Sequence, residues 1–221
     1  IVTVEDPVEY RMDGINQVPV NPKRGLTFAG ALRSILRQDP DVVLVGEIRD
    51  SETAEIAVKA ALTGHMVLST LHTNDAPSTI TRLVDMGIDA FLVSSSLNCV
   101  VAQRLVRRLC TSCKVPVSLP EDELVSVGYT REEARDLEVF QPRTEGCPRC
   151  KAGYRGRLAV VETLALNKQI RRLVVESAGA AEIKAAAIEN GMLTLRRVGL
   201  MNVGRGLTSL EEILRVTTPD R

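Results

Sequence analysis

Tryptophan is absent, and tyrosine and phenylalanine number three each in 221 residues. A surface that stacks nucleobases needs aromatic platforms, so a stacking-based nucleic-acid function is excluded. Net charge is missing too: Lys plus Arg and Asp plus Glu both come to 28. A balanced chain gives no electrostatic reason to expect nucleic acid or an anionic membrane as the main partner. No apolar run approaches the length that spans a bilayer. No basic segment leads into an apolar one at the start, so no signal peptide is visible. Ile1 opens directly into the strand-like run IVTV, and a chain rarely starts inside a core strand, so the sequence reads as a piece of a longer protein. What is present is 44% hydrophobic residues, enough for a real core in one medium domain or one and a half.

The apolar pattern alternates between strand and helix. Ile1 to Val4 reads as a short buried strand. Gly14 to Gly25 is turn-rich and reads as an irregular loop or hairpin. Phe28, Ala31, Leu32, Ile35 and Leu36 recur at helical spacing, predicting a helix over about Thr27 to Gln38 that ends at Asp39-Pro40. VVLVG after Asp41 is the continuous run of a parallel strand buried on both faces. Ser51 to Leu62 is a second helix closed by Gly64, and MVLSTL (Met66 to Leu71) a third strand. Helices are expected near Pro77 to Met86 and Ala90 to Leu109, and helices dominate from Val160 onward. Ser209 with Glu212 makes a capping box before a last helix, Leu210 to about Val216. Strands alternating with helices define an α/β fold with a largely parallel sheet.

Ligands of open α/β sheets bind beyond the carboxyl ends of the strands. Glu5, Asp6 and Glu9 follow the first strand. Glu47, Arg49 and Asp50 follow VVLVG, and His72, Thr73, Asn74 and Asp75 follow MVLSTL. Any one of these charges would be ordinary at a solvent-facing strand end. Three strands delivering them in register favour a site, suited to Mg²⁺ held directly or through water and to a base that orients an attacking water. His65 and His72 lie at opposite ends of their strand, roughly 20 Å apart by extended-chain geometry, so they do not meet on one atom. His72 reads as functional; His65 reads equally as a histidine at a helix end.

Cys110-Thr-Ser-Cys113 and Cys147-Pro-Arg-Cys150 form two C-x-x-C pairs. That spacing lets both thiolates of a pair reach one tetrahedral metal from a tight knuckle. Two disulfides would be the other use of four cysteines, but nothing points to export and Cys99 leaves an odd count. Structural Zn²⁺ is the expectation, with all four positions filled by sulfur. The residues between the pairs hold few large side chains (Leu119, Leu124, Val125, Val127, Leu137, Val139 and Phe140), so metal is expected to supply much of this lobe's order. Cys99, between Leu97 and Val100, is expected to be a buried thiol in an apolar helix.

Three further stretches resemble one family. VEDPVEY (Val4 to Tyr10) resembles the aspartate box of the secretion ATPases that power type II secretion and type IV pilus assembly. RQDPDVVLVGEIRDSET (Arg37 to Thr53) resembles their Walker B motif, and TGHMVLSTLHTNDA (Thr63 to Ala76) their histidine box. Together with the tetracysteine motif they cover most of the chain in the family's order. The resemblance implies a RecA-like P-loop ATPase core over residues 1–109, a tetracysteine zinc-binding lobe over 110–157 and a helical C-terminal subdomain over 158–221. It implies that Glu9 polarises the attacking water, that Glu47 holds Mg²⁺ through its water shell, and that His72 senses the γ-phosphate region of ATP, with His65 as its companion. Arg33 and Arg37, an i,i+4 pair on one helix face, resemble arginines that neutralise phosphate across a subunit boundary, although a solvated helix face would hold the same pair.

One departure stands out. The pattern G-x-x-x-x-G-K-[ST], whose backbone amides and lysine cradle phosphates, occurs nowhere in these residues, and GRGLTS near the C-terminus lacks the lysine and the spacing. In the family this loop lies upstream of the aspartate box, so the core is expected to lack its first strand and phosphate-binding loop, and this piece alone to hydrolyse no ATP. VGLMN (Val198 to Asn202) also departs, standing where an acidic residue and a lysine are expected. The implied whole protein is a hexameric motor on the cytoplasmic face of the inner membrane. It would drive a platform protein of that membrane, which associates it with the bilayer, and would bind no nucleic acid. Tetracysteine loops are typical of assembly and secretion members and typically missing from pilus-retraction ones. The alternative is a non-catalytic zinc-stabilised docking module; a DNA-translocating relative is disfavoured by the balanced charge.

Overall fold

A computed structural model describes residues 1–220. The chain divides into two compact units, one of residues 1–100 with 164–187 and the other of 101–163 with 188–220. The cysteine-bearing segment 110–157 lies wholly in the second unit, whereas the expected segment 158–221 contributes to both.

The first unit is built on a four-stranded parallel sheet in the order β2-β1-β3-β4: β1 is Val2–Glu5, β2 Asn16–Pro19, β3 Val42–Val45 and β4 Met66–Ser69. The strands β1, β3 and β4 stand where the apolar runs predict them. Val4, Val43 and Val45 are fully buried, and each such side chain contributes roughly 1.5–3 kcal/mol by leaving water. Helices α1 (Phe28–Leu36) and α2 (Ser51–Leu62) pack together, α1 against β1 and α2 against β4. Thr27 and Asp50 cap their first turns by accepting from the amides of Gly30 and Thr53. Gly64 takes the positive φ of 107° that ends α2. Helix α3 (Ala76–Asp85) follows β4, and α4 (Ala90–Ser96) packs on α7 (Lys168–Val175).

The stretch expected as an irregular loop contains β2, a parallel strand beside β1. Its sequence, NQVP, has no apolar alternation, and Pro19 lacks the N–H a central strand would need; it is tolerated because β2 lies at the sheet edge. At the opposite edge β4 pairs, among the described residues, only with β3, and Met66 and Leu68 are 59% and 44% exposed.

The helix expected over Ala90 to Leu109 is corrected. Helix α4 stops at Ser96, and Cys99–Leu109 is an eleven-residue strand, β5. Val100, Ala102, Val106 and Leu109 are buried while Val101, Gln103 and Leu105 are exposed, the in-out alternation of a strand until it slips near Arg107. Cys99 is therefore an exposed residue at a strand start, not a buried helix thiol. The partner of β5, β8 (Tyr154–Ala165), is another long strand, so the chain past Val160 stays extended to Ala165 and helices follow only from α7. The chain passes from the first unit to the second within β5 and returns within β8.

In the second unit β6 (Val115–Val117) and β7 (Val139–Gln141) pair antiparallel, with α5 (Glu121–Val127) and α6 (Arg131–Arg135) between them in sequence. Helix α8 (Ala180–Glu189) leads back from the first unit to α9 (Leu195–Gly204) and α10 (Leu210–Val216). Tyr129 donates its hydroxyl to the Leu200 carbonyl at 2.7 Å, and Arg197 grips both oxygens of Glu133, which ties the α5–α6 segment to α9. Ser209 caps α10, but Glu212 does not complete the expected capping box. Its fully buried carboxylate accepts from the Arg107 amide and guanidinium, both at 2.8 Å, and from Arg215. Burial pushes the Glu212 carboxyl up, yet the bonds from Arg107 and Arg215 outweigh it and hold the group at about 2. A folded pKa below the ordinary ~4.3 means that the stabilisation is fully present above about pH 4.3 and is lost as the pH falls toward 2. Glu212→Gln is expected to cost about 3 kcal/mol at pH 7. Urea unfolding should show that gap falling by about half near pH 3; a gap unchanged between pH 7 and pH 3 would refute the assignment.

Candidate functional site

The carboxyl ends of β1, β3 and β4 lie side by side, because Val4 pairs with Val45 and Val45 with Ser69. The chain is stitched just beyond these pairs. Gly46 donates its amide to the Val4 carbonyl at 2.8 Å, Ile48 donates to the Thr70 carbonyl, and the Thr70 hydroxyl donates to the Gly46 carbonyl at 2.7 Å. Gly46 allows this approach: a Cβ there would stand 3.1 Å from the Val4 oxygen.

Glu47 is held at the centre. Its Oε1 accepts from Arg49 at 2.6 Å, and its Oε2 lies 3.2 Å from His72 Nε2. The Arg49 hydrogen bond is the main reason that the Glu47 carboxyl is lowered from its usual range; partial burial works against it and His72 adds a smaller pull in the same direction. Arg49 also reaches Asp6 at 4.0 Å, so all three strand ends enter one charge network. The carboxylate is 15% exposed and His72 88% exposed, an anion fixed by its neighbours yet open toward solvent.

Arg49 and Asp6 were visible in the sequence without assigned partners. The signal was the spacing: Glu47 and Arg49 are two apart on extended chain, which sets them on one side. Glu5 is engaged by its own sheet, its Oε1 accepting from Thr3 at 2.5 Å and from Gln17 at 3.0 Å. Glu9 follows in the exposed segment after β1. Arg33 on α1 directs its guanidinium to Glu52 at 2.5 Å, and Arg37, at the end of α1, reaches Ser34. His65 lies at the other end of β4 from His72, with Nδ1 3.1 Å from the Ala60 carbonyl oxygen and 3.2 Å from the Thr63 hydroxyl, closing the last turn of α2.

The four cysteines of the C-x-x-C pairs converge in the second unit, their sulfurs all within 4.8 Å of one another. Cys110 and Cys147 are 3.8 Å apart and Cys113 and Cys150 3.6 Å, far beyond the ~2.05 Å of a disulfide. Four sulfurs around zinc at about 2.3 Å stand about 3.8 Å from each other, so the donor set and its spacing fit that ion. The Ser112 backbone N–H leads in lowering the Cys110 thiol to about 7, while burial and the neighbouring thiols push Cys113 up to about 12. Four thiolates cannot share this space without a cation. The second knuckle depends on Gly153, whose φ is +76° and where a Cβ would meet Pro142 at 2.6 Å.

Parallel strands ending on a carboxylate, a guanidinium and an imidazole, in one chain with four clustered thiols, define an α/β protein with a strand-end site and a metal-type lobe. The family described as "Type II/IV secretion system protein" matches residues 1–215, and the chain belongs to it. The type IV pilus assembly ATPase PilB of Acinetobacter baylyi is 53% identical over 99% of this chain and 38% of its own length. The type II secretion system ATPase E of Vibrio cholerae is 50% identical over 98% of this chain and 42% of its own. The chain thus spans about two fifths of these relatives. A crystal structure of the pilus retraction motor PilT with bound ADP superposes with a TM-score of 0.70 at 30% identity, covering 98% of this chain and 52% of that one. No helix among the described residues is long and apolar enough to cross a membrane.

Proposed function

We propose that these residues carry the acidic half of the catalytic site of a motor ATPase that drives assembly of pilin-like subunits, in a type IV pilus or a type II secretion system. The observation that carries this reading is Glu47, an anion fixed between Arg49 and His72 at the ends of three parallel strands. The likeness to pilus and secretion ATPases, and to a motor solved with ADP, supports it. A phosphate-binding loop and its strand would, in this reading, come from sequence outside these residues, and the exposed edge of β4 would offer that strand a place to pair. In this reading residues 1–109 belong to a RecA-like core, 110–157 to the zinc lobe and 158–221 to a helical subdomain.

Glu47 would face nucleotide-bound Mg²⁺ through water, and its depressed pKa keeps it ionised for that task. Mg²⁺ supplies neutralisation of the phosphate charge. His72, paired with Glu47, would contact the γ-phosphate region. Glu9, in the open segment after β1, would orient the attacking water. Arg33 and Arg37 would neutralise phosphate across a subunit boundary of a hexamer, and His65, turned to α2, would be the companion of His72 or simply a histidine closing that helix. Zn²⁺ on Cys110, Cys113, Cys147 and Cys150 would be structural. The motor would act on the cytoplasmic face of the inner membrane through a platform protein.

The test sets Glu9 against Glu5 in the whole protein. Glu9→Gln is expected to lower kcat by roughly 10²-fold or more while nucleotide affinity holds, as loss of water activation requires. Glu5→Gln, which alters a carboxylate held by Thr3 and Gln17, should affect turnover less. Steady-state hydrolysis and equilibrium nucleotide binding decide it. A Glu5→Gln enzyme far slower than Glu9→Gln would reverse the assignment.

A further inference from the structure

The second unit carries a cavity of about 780 Å³ between the antiparallel pair β6–β7 and helix α10, remote in sequence from every residue given a catalytic role. Leu119, Phe140 and Leu214 contribute its apolar surface, and Leu214 is 39% exposed although large and aliphatic. Glu123 on α5 and Glu211 on α10 line it as well, both exposed. Neither carboxylate lies within 4 Å of a basic nitrogen among the described residues, although Glu211 is near enough to Arg107 to help raise its pKa. The guanidinium in the lining, Arg215, is already directed to both oxygens of the buried Glu212, at 3.2 and 3.1 Å.

We propose that this groove is a docking site for a protein segment of cationic amphipathic character: a short helix that sets two or three large aliphatic side chains between α10 and the β6–β7 pair and carries lysine or arginine on its flanks. The apolar lining calls for the aliphatic face. The two exposed carboxylates select the flanking charge, and they disfavour a lipid headgroup or nucleic acid, whose phosphates would meet like charge. Because the chain's formal net charge is zero, a preference for a basic segment would arise from this local pair and not from the overall field.

The experiment uses three fluorescein-labelled synthetic helices and the metal-loaded protein. One carries Leu at i, i+3, i+4 and i+7 with Lys elsewhere; the second has Glu for Lys; the third has the first peptide's composition in an order with no apolar face. Fluorescence anisotropy is expected to show binding of the first, and affinities for the others weaker by about tenfold or more, about 1.4 kcal/mol. The double variant Glu123→Lys/Glu211→Lys should lose the first peptide by a similar factor, and so should Leu214→Ser. Both substitutions alter exposed positions, and unchanged circular dichroism verifies the fold. Amide shifts on titration should concentrate at Leu119, Phe140 and Leu214. Absence of binding, equal affinity for the scrambled peptide, shifts centred elsewhere, or a charge reversal without effect would each overturn the proposal.

Discussion

Stripping metal from the protein, or replacing Cys147 by serine, is expected to loosen the segment from about Cys110 to Cys150 while the parallel sheet stays folded. The sheet's stability is its own: Val4, Val43 and Val45 are fully buried, with α1 and α2 packed beside them. Between the knuckles the fully enclosed side chains are few, chiefly Leu124, Tyr129, Ala134 and Val139. A structural zinc site in small peptides is worth roughly 10–16 kcal/mol of apparent binding energy, enough to decide whether such a segment is ordered. The loss should be graded. Around α5 and α6, the Tyr129–Leu200 bond and the Glu133–Arg197 pair hold the chain to α9 without metal. The knuckles at Cys110–Cys113 and Cys147–Cys150 have the cluster itself, so hydrogen exchange should accelerate there most. Metal analysis should return one zinc per chain. A value near zero with no reactive thiols would indicate disulfides and remove the site.

In the whole protein, Glu47→Gln is expected to reduce ATP turnover on the order of 10²–10³-fold, the scale of removing one group aimed at developing charge. The amide keeps the shape but loses the anion that Arg49 and His72 hold in place. Its neighbours should report the change: Arg49, whose pKa is raised first by its bond to Glu47, and His72 would each lose a charged partner. The 221 residues alone should show no turnover, since they carry no lysine-bearing phosphate loop. Robust hydrolysis by this piece, or full activity of the Glu47→Gln whole protein, would sink the assigned roles.

Much was determined by the sequence itself. Buried parallel strands announce themselves as continuous β-branched runs, so VVLV was legible without any neighbour. Some helix ends were legible through their chemistry: Gly64 closes α2 and Ser209 caps α10, as expected, whereas the caps made by Thr27 and by Asp50, which the sequence set among the strand-end charges, came from the structure. The C-x-x-C spacing made each pair of thiols legible because a knuckle is a local structure; the meeting of the two pairs, with Cys110 3.8 Å from Cys147 and Cys113 3.6 Å from Cys150, is tertiary.

What the tertiary structure decided depends on partners distant in the chain. Across Leu97 to Leu109, the residues Leu97, Val100, Val101 and Leu105 also satisfy helical spacing, and only pairing with β8 makes Cys99–Leu109 a strand. Asn16–Pro19 has no pattern of its own and becomes β2 through the carbonyls and amides of β1. Glu212 has the spacing of a capping partner for Ser209, but the approach of β5 brings Arg107, a stronger charged donor, and the carboxylate turns to it. Strand order had the same effect at the site. The sequence places Glu47, Arg49 and His72 after two strands; only the parallel pairing of β3 with β4 brings the imidazole to 3.2 Å from the carboxylate, because register is set by cross-strand hydrogen bonds that no single segment encodes.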